Sequence, residues 1–494
     1  MSNKYDVIII GSGAGSLIAG AFLCKSGYRV LTIERHIIPG GYLHGFKRKG
    51  FFFDSAVYSL AGCGDNGYIT FLLEKLALRD KFEFKEYEAI YKVKLPFGEY
   101  TLPTGFDNFK GYLAGLFPAE SENINRMMGE ALFLYNEMEF EKFGKPVDEK
   151  KFFSIIQKWG KKSYKDFIDA FISDDRLRKI LYSLWLYCAL PEGEASSLYG
   201  VLMLMIHIIE SSHYINGGCD NLAKILADYI VENNGEIRYS SEVKEILIKD
   251  DLAYGVRLQD GTELYADVVI SNANAKDTLK KFVVNPENLS NIIKRRIDKL
   301  IPSISTFALY IVAKINPDVK SPFSEANQIF FLDEEDNENI YKRSLEKDRE
   351  PFGNLLITEI PGIQKEGYRT YNVYSLMSFD RYEDWGEVKK TLSDKMLDKV
   401  KSIVKDYWSD IFFVESATPK TFYRYTLNTC GSMYGFENTS DAYRGAKMEN
   451  SVGVKNLFLA GHWTKPGGSV YNAMTSGMKA FELAKNYLAE TRNG

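Results

Sequence analysis

Tyr5 to Ile10 is an almost unbroken apolar run rich in β-branched residues, the pattern of a parallel strand buried on both faces. A glycine-rich stretch follows. Leu17 to Ser26 then keeps helical spacing until Gly27 stops it, and Arg29 to Glu34 is a second strand pattern. Roughly the first thirty residues therefore predict one βαβ unit. Between Tyr68 and Pro103 the pattern predicts a helix and then short strands such as Ala89 to Leu95, and residues 107–210 are largely helical. A helix over Cys219 to Asn233 precedes several short strands, with turns at Asn234-Gly235, Asp250-Asp251 and Asp260-Gly261. Further strands are predicted over 303–315 and 353–378, a helix over Val388 to Tyr407, and a last buried strand over Asn456 to Ala460. The polar stretch 333–351 predicts a solvated loop. There is no internal repeat.

Composition narrows the picture. A chain of 494 residues with 45% hydrophobic and 26% charged content is sized for two or three domains around a large core. A net charge of −4 and the lack of a basic tail argue against a nucleic-acid partner. The 32 Phe and 32 Tyr either fill cores or line a large apolar cavity. Cys24, Cys63, Cys188, Cys219 and Cys430 show no metal-ligand or disulfide spacing, so they are expected to be reduced, buried thiols with no metal site. Polar residues lead straight into the first strand without a signal-peptide pattern. The longest apolar run, Leu198 to Ile209, is too short to span a membrane. The expected location is the cytoplasm, with peripheral contact at the inner membrane face as an option.

The stretch Gly11-Ser12-Gly13-Ala14-Gly15-Ser16 joins the first strand to the first helix. Gly11 suits a tight turn, and Gly13 leaves room for a pyrophosphate against the backbone. The helix start offers free N–H groups and a positive dipole end. Ser16 stands where a third glycine is usual, and its small side chain still permits close helix–strand packing. Glu34, about twenty residues on, can accept the hydroxyls of an adenosine ribose. A second glycine-rich strand-to-helix turn, LFLAGHWTKPGGSVYNAMTSGMKAF, runs from Leu457 to Phe481.

Six segments, IERHIIPGGYLHGFKRKGFFFDSA, INGGCDNLAKILADYI, SEVKEI, DVVISNANA, TCGSMYGFENT and the closing turn, resemble the phytoene desaturase, carotenoid isomerase and retinol saturase group of FAD proteins. The resemblance is patchy over the whole chain, weakest over 107–200 and 320–400. It implies an α/β fold: a Rossmann-like FAD-binding domain of the amine-oxidase and phytoene-desaturase type, with a discontinuous mixed-sheet substrate domain and a helical cap. The implied FAD domain takes residues 1–80, 211–280 and 440–494. The substrate sheet takes 81–106 and 281–439, and the cap 107–210. FAD is the implied cofactor. Gly11, Gly13, Ala14, Gly15 and Ser16 would hold its pyrophosphate, and Glu34, with Arg35 beside it, its ribose. Gly40, Gly41 and Tyr42 would run near the flavin end. Val243 would meet adenine through its backbone, and Asn272 would end a strand at the domain's edge. Gly461 and His462 would lie by the ribityl or pyrophosphate. Gly468, Val470, Tyr471, Asn472 and Met474 would pass under the ring, with a helix starting near Asn472 whose dipole faces the flavin edge that gains charge on reduction.

Two positions depart from the family pattern: His462 stands where many relatives carry Asp or Glu, and Tyr42 where amine oxidases carry Arg. A neutral imidazole at 462 can still accept a ribityl hydroxyl, or act as a proton donor. The implied chemistry is desaturation, saturation or isomerisation of a C–C bond in a long apolar substrate such as a carotenoid, retinoid or other lipid. Such a substrate needs little acid–base help, because conjugation spreads the developing charge. Tyr434, Glu437, His462 and Lys465 are the candidate acid–base residues, with His44 as a further residue facing substrate. His36, His207 and His213 have no partner at ligand spacing and read as ordinary residues. A single dinucleotide fingerprint implies no tight NAD(P)H site, so oxygen, a quinone or a partner reductase would exchange electrons with the flavin. Two alternatives stay open: an oxidase of an amine or other polar metabolite, and a non-catalytic lipid or pigment carrier.

Residues 149–167 carry six lysines, with Phe152, Ile156 and Trp159 on one helical face. That pattern suits either a membrane-surface helix or a core-facing helix with a solvated back. The apolar stretch from Ser196, with Met203 and Met205, suits a cap helix that lines an adaptable tunnel.

Overall fold

The computed structural model describes residues 4–145, 148–285, 287, 289–361, 365–442 and 447–493. Residues 1–3, 443–446 and 494, assigned above to the FAD segments, lie outside the described residues. So do 146–147 of the cap and 286, 288 and 362–364 of the substrate segments.

Strand β1 (Lys4–Ile10) lies parallel between β2 (Val30–Ile33) and the strand Glu263–Ser271, with Val7 level with Val30 and Val268. Helix α1 (Ala14–Lys25) makes the crossover from β1 to β2. Val7, Ile8 and Ile9 have no exposed surface, so the unbroken apolar run reflects burial on both faces of the sheet. Glu236–Arg238 extends the sheet past β2. On the other side Leu252–Leu258 and Val243–Lys249 follow Glu263–Ser271 in antiparallel order. Leu457–Leu459 joins Glu263–Ser271 in parallel. One sheet is thus assembled from three distant stretches of chain.

The closing helix Val470–Asn493 packs along α1, and two glycines set the crossing. A Cβ on Gly15 would lie 2.8 Å from the carbonyl oxygen of Ala473 and 2.8 Å from the amide nitrogen of Gly461. A Cβ on Gly477 would strike the backbone of Gly15. The helix begins two residues before the predicted start at Asn472.

The second sheet has seven strands in the order Trp408–Ala417, Ser305–Ile315, Tyr368–Met377, Asn354–Glu359, Gln328–Leu332, Ala89–Leu95 and Gly98–Pro103. Its alternation is legible in Phe307, Leu309 and Ile311, which pack under the helix Trp385–Val404, while Ala308, Tyr310 and Val312 face the main core. Helices between Phe106 and Ile209 cover that second face. Ser197–Ile209, apolar all round, is buried almost throughout.

Four expectations need correction. Leu60–Ala61, Ser212–Ile215 and Phe84–Glu86 form a separate three-stranded sheet that stitches the assigned domains together. Leu289, Ile293, Ile297 and Leu300 pack with Val243 and Val269 in the FAD-domain core, so 281–300 does not belong with the substrate sheet. The polar stretch 333–351 contains a helix, Asn337–Leu345, capped by Asp336 and anchored by buried Ile340 and Tyr341; charge on its outer face hid the two apolar contacts. In the helix Glu149–Trp159, Ile155 and Trp159 turn inward, while Phe152 and Phe153 stand exposed. Among the described residues no helix is long and apolar enough to cross a membrane.

Candidate active site

The cavity begins where β1 ends. Gly11 takes φ +86°, which favours glycine, and turns the chain into α1. Gly13 caps α1 without a side-chain hydrogen bond, so the first-turn N–H groups are left for a ligand. Glu34 closes this end: its Oε2 accepts from Ser12 N at 2.8 Å and Ser12 Oγ at 2.7 Å, and its Oε1 from His36 N at 2.6 Å. Gly40, at φ +117°, donates its N–H to Ser12 O at 2.9 Å and pairs with Gly13. The paired glycines thus clamp the phosphate loop.

From Glu34 and Val243 the cavity runs past Asn272, Gly461 and His462 to Ala56, Met433, Tyr434, Ser469 and Val470. Both glycine-rich turns share one elongated cavity. Asn272 directly follows the strand Glu263–Ser271, which lies in the middle of the sheet. Its Oδ1 is buried without a partner, between Gly15 and Gly461. An orphaned carboxamide and an uncapped helix start at one point fit a ligand carrying phosphates and hydroxyls. Here FAD would be held by the Gly11–Gly15 loop, Glu34, Asn272, Gly461 and the turn at Ser469–Val470.

His462 sits at the ring end, 5.9 Å between ring centroids from Tyr42. Trp463 Nε1 donates to Asn428 Oδ1 at 2.8 Å, and an indole N–H only donates, so that atom is the carboxamide oxygen. His462 Nε2, 3.3 Å from the same oxygen, must then carry a hydrogen. Burial pushes the imidazole down to about 4, so at neutral pH it is uncharged and Nδ1 is an acceptor. The expected ribityl acceptor at 462 is therefore chemically available, whereas an imidazolium proton donor is not. Tyr42 donates to Ser432 O at 2.8 Å and burial pushes its hydroxyl up to about 12. It ties the FAD domain to the segment that carries Tyr434. Arg35 lines the cavity and donates to the carbonyls of Arg424 and Tyr425, at 2.9 and 3.1 Å, so it fastens the substrate domain over the site.

Gly11, Gly13, Ala14, Gly15, Glu34, Arg35, Gly40, Gly41, Tyr42, Val243, Asn272, Gly461, His462, Val470 and Tyr434 all line this cavity. Seven of the expected cofactor and acid–base residues do not. Ser16 folds its hydroxyl back to Gly13 O at 2.8 Å. Gly468 packs against Tyr434, and Asn472 donates to Gly468 O at 2.8 Å, so both shape the turn from behind. Met474 is buried in the main core, one position past Ala473, which does face the cavity. Glu437 is half-buried away from the site, where desolvation and Glu194 push it up to about 7. Lys465 pairs with Glu449 at 2.5 Å outside the cavity.

Tyr471 also points elsewhere, into a buried network. Its hydroxyl lies 2.8 Å from Glu139 Oε2 and 2.9 Å from Glu210 Oε1, and Tyr135 donates to Glu210 Oε1 at 2.7 Å. Two hydroxyl hydrogens cannot fill three such contacts, so one carboxyl is protonated. Burial pushes Glu210 up, and Glu139 is paired with Lys142 at 2.6 Å, which places the proton on Glu210.

Sequence reasoning missed Asn428, which orients His462, and Lys447. Fully buried Lys447 donates to Asn438 Oδ1 and to Pro466 O, holding the closing turn, and burial pushes its ammonium down to about 7. No motif flags either residue, because each acts through tertiary contact alone.

The family model for flavin containing amine oxidoreductase matches residues 17–481. A chloroplastic prolycopene isomerase of Daucus carota is 25% identical over 97% of this chain and 79% of its own length. A neurosporene-forming phytoene desaturase of Rhodobacter capsulatus is 26% identical over 95% and 92%. A crystal structure of an oxidoreductase from Methanosarcina mazei superposes with a TM-score of 0.66 at 19% identity, covering 97% of this chain and all of that one. The chain is a flavin-dependent oxidoreductase with FAD as cofactor; it is similar to carotenoid desaturases, carotenoid isomerases and retinol reductases, and it belongs to the flavin containing amine oxidoreductase family.

Proposed function

We propose that this chain acts on a C–C bond of a long, unsaturated, apolar molecule, by desaturation, saturation or cis–trans isomerisation. The carrying observation lies beyond the ring end of the site. Two further cavities share Ala56, Tyr58 and Tyr434 with each other, and among their described lining residues there is no Asp, Glu, Lys or Arg. One opens towards Leu356, Tyr374 and Leu376 of the substrate sheet, the other towards Met203 and Ile206 of the cap. An ammonium substrate would find no counter-ion there, at a desolvation cost of several kcal/mol. This disfavours a polar amine and suits a greasy chain. The names of the Daucus and Rhodobacter relatives point to polyenes as well.

Bound FAD supplies hydride acceptance or donation. The chain's own residues do the rest. The apolar walls exclude water and hold the reacting carbons. Tyr434, whose hydroxyl has no hydrogen-bond partner among the described residues, is the remaining proton-bearing candidate where the three cavities meet. Desaturation or saturation needs an electron partner such as oxygen, a quinone or a reductase, whereas isomerisation consumes none. Exposed Phe152 and Phe153, beside Lys150, Lys151 and Lys158, are the surface we assign to peripheral membrane contact. Wild-type protein that fails to sediment with anionic vesicles would remove that assignment.

The test is anaerobic mixing of oxidised and of photoreduced holoprotein with phytoene, prolycopene, retinol and an amine panel. Flavin absorbance and product mass are followed together. A polyene or retinoid that changes mass or geometry supports the proposal. Bleaching by amines alone sinks it.

A further inference from the structure

We infer that the cap-side cavity behind Tyr434 binds a single hydroxyl group at one end of an otherwise apolar substrate, and that His207 reads it. The inference rests on the apolar-substrate proposal and narrows it to hydroxyl-terminated molecules.

His207 lies on the helix Ser197–Ile209 and is 7% exposed. Its Nδ1 is 2.7 Å from Met203 O. A carbonyl only accepts, so Nδ1 carries the hydrogen. Burial pushes the imidazole down to about 4, which leaves it neutral at neutral pH with a lone pair on Nε2. No described residue donates to that nitrogen. The ring is fixed by stacking on Tyr187 at 4.7 Å and 14°, and the Tyr187 hydroxyl is already engaged with Gln328 Oε1 at 2.9 Å.

The cavity that His207 lines has a volume of about 120 Å³, enough for the end of a chain. Leu60, Met203 and Ile206 make apolar walls. Against them stand three unspent hydroxyls. Ser59 Oγ is buried without a partner, and the hydroxyls of Tyr58 and Tyr434 meet none among the described residues. Buried polar groups are normally satisfied, so an acceptor and several donors left open in one apolar chamber point to a ligand that completes them. A hydroxyl does so: it gives its hydrogen to Nε2 and accepts one from a tyrosine. A carboxylate would set its lone pairs against that of Nε2. An ammonium would lack a counter-ion, and a ketone or ether has no hydrogen to give.

The test uses FAD-loaded protein and three probes of equal length: geranylgeraniol, its methyl ether and the parent hydrocarbon. Dissociation constants are read by equilibrium ultrafiltration. Wild type should hold the alcohol about tenfold or more tighter than the ether. In His207→Phe the two should come within twofold, with hydrocarbon affinity unchanged. His207→Gln, which presents a carboxamide oxygen, should restore part of the preference. Tyr58→Phe, which removes a donor on another wall, should weaken the alcohol more than the hydrocarbon and gives a second reading if His207→Phe does not fold. Equal wild-type affinity for alcohol and ether, or equal losses for all three probes, overturns the hydroxyl site and leaves the apolar-substrate proposal standing. Failure of all three probes to bind wild type overturns both.

Discussion

The two ends of the cofactor cavity are built from different materials. The dinucleotide end is mostly backbone: uncapped N–H groups of α1, the glycine pair at 40–41, and Glu34 held by Ser12 and His36. It is drawn largely from one short stretch. The ring end is side chains, Tyr42, Tyr434, His462 and Asn428, gathered from segments far apart in the chain. Backbone geometry tolerates almost no added atoms, whereas side-chain walls can change kind while the cofactor stays. One half of the site should therefore fail as a unit, and the other should be tunable.

Gly15→Val is the most severe way to probe that contrast. The new Cβ would meet the Ala473 and Gly461 backbones at 2.8 Å, and neither can step aside cheaply. FAD content of the purified protein should drop below about a tenth of wild type. Normal flavin absorbance in this variant would break the comparison.

Asp54, at the end of the strand Phe51–Asp54 and outside the cavity lining, is fully buried, accepting from Tyr214 at 2.8 Å and from Cys219 N at 2.9 Å. Burial pushes its carboxyl up to about 7. A raised acid holds its proton longer in the folded than in the unfolded chain. Its contribution is therefore complete below the unfolded value, near 4, and is lost as pH rises through about 7. The loss over that window should be at most about 4 kcal/mol. Urea midpoints from pH 4.5 to 8 should fall for wild type and flatten for Asp54→Asn. Parallel profiles would refute burial as the cause.

Glu34→Gln tests the charged member of the backbone end. It removes one acceptor of the three-bond arrangement and the carboxylate facing the ribose site, so FAD affinity after reconstitution should weaken about tenfold. Unchanged affinity would make Glu34 a loop brace only. The smallest effect is expected at Lys465, which pairs with Glu449 outside the cavity: Lys465→Met should alter turnover less than twofold. A large kinetic defect would mean the ring end reaches further than its walls.

The same contrast explains what the sequence made legible. The βαβ unit, Glu34 and the paired glycines are local patterns, and each lands in the cavity wall. The closing turn was legible too, but only as a turn. Whether Val470 or Tyr471 faces the flavin depends on helix phase, and Tyr471 is drawn instead to Glu139 and Glu210, residues with no local signal. Glu437 and Lys465 stand close in sequence to cavity residues, which does not decide where a side chain points. His207 carries no local signal, because its meaning comes from the Met203 carbonyl one turn earlier and from a cavity made largely by other segments.

Joining Gly11–Gly15 and Ser469–Val470 in one cavity also sets an order in time. A ribosome adds about 5–20 residues per second, so the glycine loop emerges and can fold long before the segment that completes its site exists. Leu457–Leu459 and the closing helix must dock before the flavin meets both of its walls. Firm capture of the prosthetic group thus waits for the closing helix, and a message cut short before Gly461 would yield a product that never turns yellow.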